Sequence, residues 1–402
     1  MDGLVQAAKT LSAAAAALQP PADERPSVRA LTDTANDAYF QTISPYQVGP
    51  SEDTSYPAFR SFVAGHPSGE RYPERVLRQF WTRCVSDEGQ LVVLAGPPGS
   101  GKTTLVRLAA EFFNRGLDAA AHPPGWEAFY LLQPVSPAWF SPASLLGAVD
   151  PLDGQFRSTA FLRFLMQAEL HYMDHGADGG PTRRFLACLD EFNIAQPEQY
   201  LAELLSRLEA PDGSEGRQLA FDSGGGQDGT SPFTVGLHPN LRLFATLNTD
   251  ASTKTLSPKV LDRCFFLRLT PALGELESAA DRIAEGHGAA VGAFHGAFRP
   301  LLAPLDALGR AGNVPLGFRV LRHAYDYAAS HPTLAGDPDA AGLAAVTGEV
   351  VGSFFVPKLP GAFVVNSQAY EGVLRETPLR ELPGVADVLD RVADGLPGQF
   401  AL

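Results

Sequence analysis

Nine residues, GPPGSGKTT (96–104), set three glycines ahead of a lysine and two threonines. The spacing satisfies G-x-x-x-x-G-K-[ST], a loop that holds phosphates when it lies between a strand and a helix. Gly96, Gly99 and Gly101 let backbone N–H groups wrap a polyphosphate, while Pro97, Pro98 and Ser100 fill the loop and Thr104 follows it. Lys102 is placed to pair with β and γ oxygens, and Thr103 to offer its hydroxyl to Mg²⁺. FLACLDEFN (185–193) ends an apolar run in paired acids. There Asp190 can hold the Mg²⁺ shell through water, and Glu191 can polarise an attacking water. LFATLN (243–248) ends another run in Asn248, a neutral group able to set that water against the γ-phosphate. LSPKVLDRC (256–264) puts Arg263 just before a further run, where a guanidinium can reach a neighbouring subunit's nucleotide. The plainer role for Arg263 is an ion pair with Asp262. GFRVLRHAYDY (317–327) opens a helix with Arg319 and Arg322 one turn apart, either of which can touch the nucleotide.

These residues need a scaffold, and the chain supplies one. LVVLAG (91–96), AFYLL (128–132), RFLACLD (184–190), LRLFATLN (241–248) and CFFLRL (264–269) are short apolar runs of the kind buried parallel strands require. Helix-patterned or polar sequence separates them, so the expected class is α/β with a five-stranded, mainly parallel sheet. Residues 213–240 differ: a Gly-rich centre lies between LAF and FTV, which predicts a β-hairpin insertion. A helix is expected from Pro73 to Val85, and after Pro271 the pattern is helical, best over 275–296, 315–330 and 338–358. The expected division is an N-terminal helix (1–18) and lead-in over 1–69, an α/β core over 70–272, and a helical lid and tail over 273–402.

The chain has 402 residues and a formal net charge of −14. That balance argues against a broad basic face for nucleic acid or anionic lipid, and leaves room for a local basic groove or pore. Only Lys9, Lys102, Lys254, Lys259 and Lys358 are lysines, and most fall in or near the motifs above. No apolar run approaches the roughly 20 residues that span a bilayer, and the N-terminus lacks a signal-peptide pattern. Cys84, Cys188 and Cys264 are too far apart for a disulfide framework or zinc site. They fit packed thiols in a reducing compartment, so a cytoplasmic protein without membrane contact is expected.

The ordered set of P-loop, acidic strand, Asn strand, Arg before the last strand and helical lid resembles the AAA+ ATPases. VSPAWFSPASLLGAVDPLDGQF (135–156), LDEFNIAQPEQYLAELLSRLE (189–209), LHPNLRLFATLNTD (237–250) and FFVPKLPG (354–361) narrow the likeness to the McrB-like clade. These are the motor subunits of modified-cytosine restriction systems and their relatives. The resemblance covers roughly 70–365 and implies a homo-oligomeric, hexameric ring with nucleotide at subunit interfaces. It matches Lys102 and Thr103 to the P-loop pair, Asp190 and Glu191 to the acidic pair, and Asn248 to the sensor. It also matches Asp250 to the sensor-loop acid and Arg263 to a finger acting in trans. Restriction members use GTP and read N-T-A-D-R-S; NTDAST (248–253) departs from that, which inclines the substrate toward ATP. No base-reading or nuclease signature is present, so a separate nuclease or adaptor subunit is expected, with DNA reached through it or through the pore. Two other functions compete: a MoxR-like protein-remodelling chaperone, and a nucleotide-gated scaffold with negligible turnover.

Overall fold

The computed structural model describes residues 53–68, 72–86, 90–115, 126–152, 156–175, 183–210, 215–221, 233–249, 256–336, 338–365 and 368–401. The helix expected over 1–18, the hairpin tip and Asp250 lie outside them. Nine strands are described: β1 (Leu91–Gly96), β2 (Tyr130–Pro134), β3 (Gly147–Val149), β4 (Phe156–Ser158), β5 (Phe185–Asp190), β6 (Gln218–Phe221), β7 (Phe233–Gly236), β8 (Leu241–Asn248) and β9 (Cys264–Arg268). Five of them form one sheet in the order β2-β5-β8-β1-β9, with every neighbouring pair parallel. The five apolar runs fall on these five strands, AFYLL (128–132) only in part: Ala128 and Phe129 lie in a 3₁₀ turn and β2, half-exposed at the sheet edge, begins at Tyr130.

Alternation along each strand explains how both faces are covered. Leu91, Val93, Phe185, Ala187, Leu189, Leu243 and Ala245 turn to one core, and Val92, Leu94, Leu186, Cys188 and Phe244 to the other. Helices α1 (Tyr56–Gly65), α2 (Glu74–Val85) and α3 (Lys102–Phe113) close the second face through Phe59, Phe80 and Phe112. Helix α4 (Ala160–His175) and the β6–β7 ribbon close the first. The result is a three-layer α/β arrangement with the parallel sheet in the middle. Cys84 and Cys188 are buried in it, and burial pushes the Cys84 thiol up to about 12. Cys188 is raised further by burial and by Asp190.

β6 and β7 pair antiparallel, as the LAF and FTV segments predict. A second ribbon, β3 with β4, escaped the sequence reading. After β9 come α5 to α11 of the lid region, preceded by a short helix at Pro258–Arg263 that carries Arg263. They are α5 (Leu273–His287), α6 (Gly292–Phe298), α7 (Leu302–Ala311), α8 (Phe318–Ser330), α9 (Ala340–Val350), α10 (Gln368–Glu376) and α11 (Ala386–Ala393). The helix expected over 275–296 breaks at Gly288, whose φ of +64° lies in the left-handed region. Helix α9 continues through a π turn and a 3₁₀ turn to Lys358, and this stretch is long and apolar enough to cross a membrane by length and composition. Its Val346, Val350, Val351, Phe355 and Val356 are buried in the lid's own core.

Candidate functional site

Parallel order brings the carboxyl ends of β1, β5 and β8 to one end of the sheet, where ligands of open α/β folds bind. Register fixes the neighbours: Gly96 at the end of β1 pairs with Asn248, and Leu189 of β5 pairs with Ala245. The three sequence motifs therefore meet there.

From β1 the chain turns through the loop into α3. Gly101, at φ +86°, is the N-cap, a conformation that would strain any side chain. Twelve-residue α3 then presents its N-terminus to the cleft. The Lys102 ammonium is buried and donates to Gly96 O (2.9 Å) and Pro97 O (2.8 Å). Thr103 Oγ1 donates to Asp190 Oδ1 at 2.9 Å. A hydroxyl and a carboxylate at a helix N-terminus form an all-oxygen donor set of the kind Mg²⁺ takes, so these two residues fit the metal.

Glu191 follows with φ +54°, a left-handed backbone that costs a non-glycine residue about 1–2 kcal/mol. Its N–H donates to Thr246 Oγ1 (2.8 Å), and its Oε1 accepts from Asn248 Nδ2 (3.1 Å). Thr246 Oγ1 in turn donates to Asp190 Oδ1 at 2.7 Å. Thr246 and Asn248 are two apart on β8 and so share a face.

The lid completes the cleft. Arg319 N donates to Gly99 O (3.3 Å), and a Cβ on Gly317 would meet Pro98 O at 2.4 Å, so the start of α8 lies directly on the phosphate loop. The resulting cleft of about 340 Å³ is lined by loop residues 98, 99 and 101–104, by Asp190, Glu191, Thr246 and Asn248, and by Arg319, Arg322 and His323. Three permanent cations face two carboxylates there, a local positive balance within a chain of net charge −14. Both lid arginines reach the cleft.

Other expected residues sit elsewhere. Gly96, Pro97 and Ser100 shape the loop from behind without lining the cleft, and Ser100 is 1% exposed. Arg263 is also outside it: its Nε pairs with Glu209 Oε1 at 2.7 Å, in place of the Asp262 pair considered from sequence. Sequence reasoning missed Thr246, His323 and Tyr72, whose hydroxyl donates to Gly101 O at 2.9 Å. The period of two back from Asn248 is a signal that could have found Thr246.

A strand, a phosphate loop, paired acids on the next strand but one and a polar strand end between them define a P-loop nucleotide-binding domain. Residues 91–264 match the family model of the AAA domain, dynein-related subfamily. The matched span runs from the first residue of β1 to the first residue of β9, a little under half of the chain. Among solved structures, NtrX from Brucella abortus in complex with ADP aligns at 15% identity and a TM-score of 0.37, covering 82% of this chain and 63% of that one. A second NtrX structure from Brucella abortus aligns at 16% identity and a TM-score of 0.37, covering 85% of this chain and 66% of that one. The chain therefore spans a little under two thirds of the NtrX chains it aligns with. No curated protein matches it.

Proposed function

We propose that the chain is a Mg²⁺-dependent nucleoside triphosphatase with ATP as its substrate, GTP being the other candidate. One observation carries this reading: Lys102, Thr103, Asp190, Glu191 and Asn248 converge on a single cleft, and the last four are linked by hydrogen bonds through Thr246. In the reaction a water oxygen attacks the γ phosphorus, and the bond from that phosphorus to the β–γ bridging oxygen breaks. Nucleoside diphosphate and phosphate leave, while the Glu191 carboxylate accepts the proton the water loses. Asn248, beside Glu191, orients that water. Thr103 and Asp190 would hold Mg²⁺, which would supply neutralisation of phosphate charge when bound. Arg319 and Arg322 neutralise phosphate charge from the lid side.

The wider setting is a homo-oligomeric ring, hexameric as in McrB-like motors, working with a separate nuclease or adaptor subunit in a restriction or phage-defence system. Support for that comes from the motif resemblance and from Arg263, which lies outside its own cleft and is available to a neighbour's. Hydrolysis of ATP and of GTP by the purified protein, with and without Mg²⁺, tests the enzymatic reading. Turnover that disappears in Glu191→Gln is expected. Wild type as inert as that variant would replace the enzyme with a nucleotide-gated scaffold. Adding DNA and the products of neighbouring genes tests the setting: stimulation by a nuclease partner supports it, and stimulation only by a protein client overturns it.

A further inference from the structure

Resting on that hydrolytic reading, we propose that Thr246 is a positioning residue: its single hydroxyl fixes the metal-side carboxylate and the general base as one unit. A threonine hydroxyl has one proton to give and lone pairs to accept with. Here the proton goes to Asp190 Oδ1 (2.7 Å), and a lone pair takes the Glu191 N–H (2.8 Å). The side chain of one acid is thereby tied to the backbone of the next. Thr103 Oγ1 donates to the same Asp190 Oδ1, so that oxygen is held from two sides, by α3 and by β8.

The tie matters because of what Glu191 is doing there. Its left-handed φ of +54° is a conformation the surroundings must enforce. Three restraints on it come from β8: the Thr246 hydroxyl on its N–H, the Phe192 N–H donated to Thr246 O (3.0 Å), and Asn248 on its carboxylate (3.1 Å); a local one is the Ile194 N–H donated to Glu191 O (3.0 Å). Thr246 is 2% exposed and rigid at χ1 as a β-branched residue, so its hydroxyl has little freedom to point elsewhere. Two residues further along the same strand face, Asn248 holds the other end of Glu191. Thr246 thus sets where the base starts, and Asn248 where it ends.

Thr246 acts through Asp190 and Glu191, so its loss should strike turnover more than affinity. Thr246→Ser and Thr246→Ala differ by the hydroxyl alone, and Thr246→Val keeps the volume while removing the hydroxyl. Steady-state hydrolysis with Mg²⁺ titration, alongside equilibrium binding of a fluorescent triphosphate analogue, reads the effect. Expected are a kcat within about threefold of wild type for Ser, and a fall of about 10²-fold for Ala and Val. Binding of the analogue should stay within about threefold throughout, while the Mg²⁺ needed for half-maximal rate rises for Ala and Val. Retained binding also reports that the variants are folded; were Val to lose it, the Ser and Ala pair carries the comparison. Ala turning over as fast as Ser overturns the proposal, as does a loss confined to KM. Absence of hydrolysis in the wild type would overturn the enzymatic reading instead.

Discussion

Asn248 and Glu191 form the contact on which rate should depend most finely. Their 3.1 Å hydrogen bond joins the Asn248 amide to the Glu191 carboxylate at the lining of the cleft. Removing the amide and adding a charge are different injuries. Asn248→Ala loses an orienting donor, which should lower kcat by about 10–10²-fold. Asn248→Asp is nearly isosteric but sets a second carboxylate against Glu191 and against a γ-phosphate of the same sign. Like charges at this range disfavour one another's ionised form, so the general base would be partly protonated as well as misplaced. We expect Asp to be the worse variant by a further factor of about 10, with the gap narrowing at high ionic strength because Glu191 is exposed and its charge is screened. Single-turnover rates of the two variants at saturating nucleotide check the order. Ala slower than Asp would mean that Asn248 acts by size and not by its dipole.

The joint between α8 and the phosphate loop is where lid and core communicate. A methyl group on Gly317 would sit 2.4 Å from Pro98 O and 2.8 Å from Gly99 C, so Gly317→Ala must push the start of α8 off the loop. Overpacking of this kind costs about 1–3 kcal/mol, and here it should also draw Arg319 out of the cleft. Weaker nucleotide binding by about threefold or more is expected, measured by fluorescence titration. Gly274→Ala, which meets nothing within 4 Å, serves as the control and should leave binding unchanged. The sequence offered Arg319 and Arg322 to the nucleotide but not the Gly317–Pro98 contact, because those two residues are far apart in the chain and no local pattern pairs them. The strands were legible for the opposite reason: β1, β5 and β8 are buried on both faces, so they show as mainly apolar runs, interrupted in β8 by Arg242 and Thr246. The β3–β4 ribbon was not, since GAV and FRS are three residues each and too short to display a period of two. The core of the site was readable because its residues stand at strand ends in recognisable order. Thr246 was hidden because a threonine inside a strand is ordinary until its hydroxyl is seen between two acids.

In the proposed ring, Arg263 is the residue that would link one copy to the cleft of the next. It ends a short helix on which Leu261 is 48% exposed, and its guanidinium is held by Glu209 outside its own cleft. Among the described residues, the arginines that line the cleft of an isolated chain are Arg319 and Arg322, and Arg263 is not with them. In a ring, the same face of one copy would meet the cleft of the next, burying Leu261 and exchanging Glu209 for phosphate oxygens. The exchange is favourable if the triphosphate offers more charge and a geometry that accepts a planar guanidinium. Complementation between two inactive variants distinguishes this arrangement from a self-contained one. Arg263→Ala removes the donated cation and leaves the cleft intact, while Glu191→Gln removes the base and leaves Arg263 intact. Each alone should lose about 10²-fold or more of turnover while retaining nucleotide binding. Mixed before ring assembly in equal amounts, about a quarter of the interfaces would join an intact cleft to an intact arginine, so a corresponding share of wild-type activity should return. If Arg263 serves its own cleft, or no nucleotide, the mixture stays as inactive as its parts.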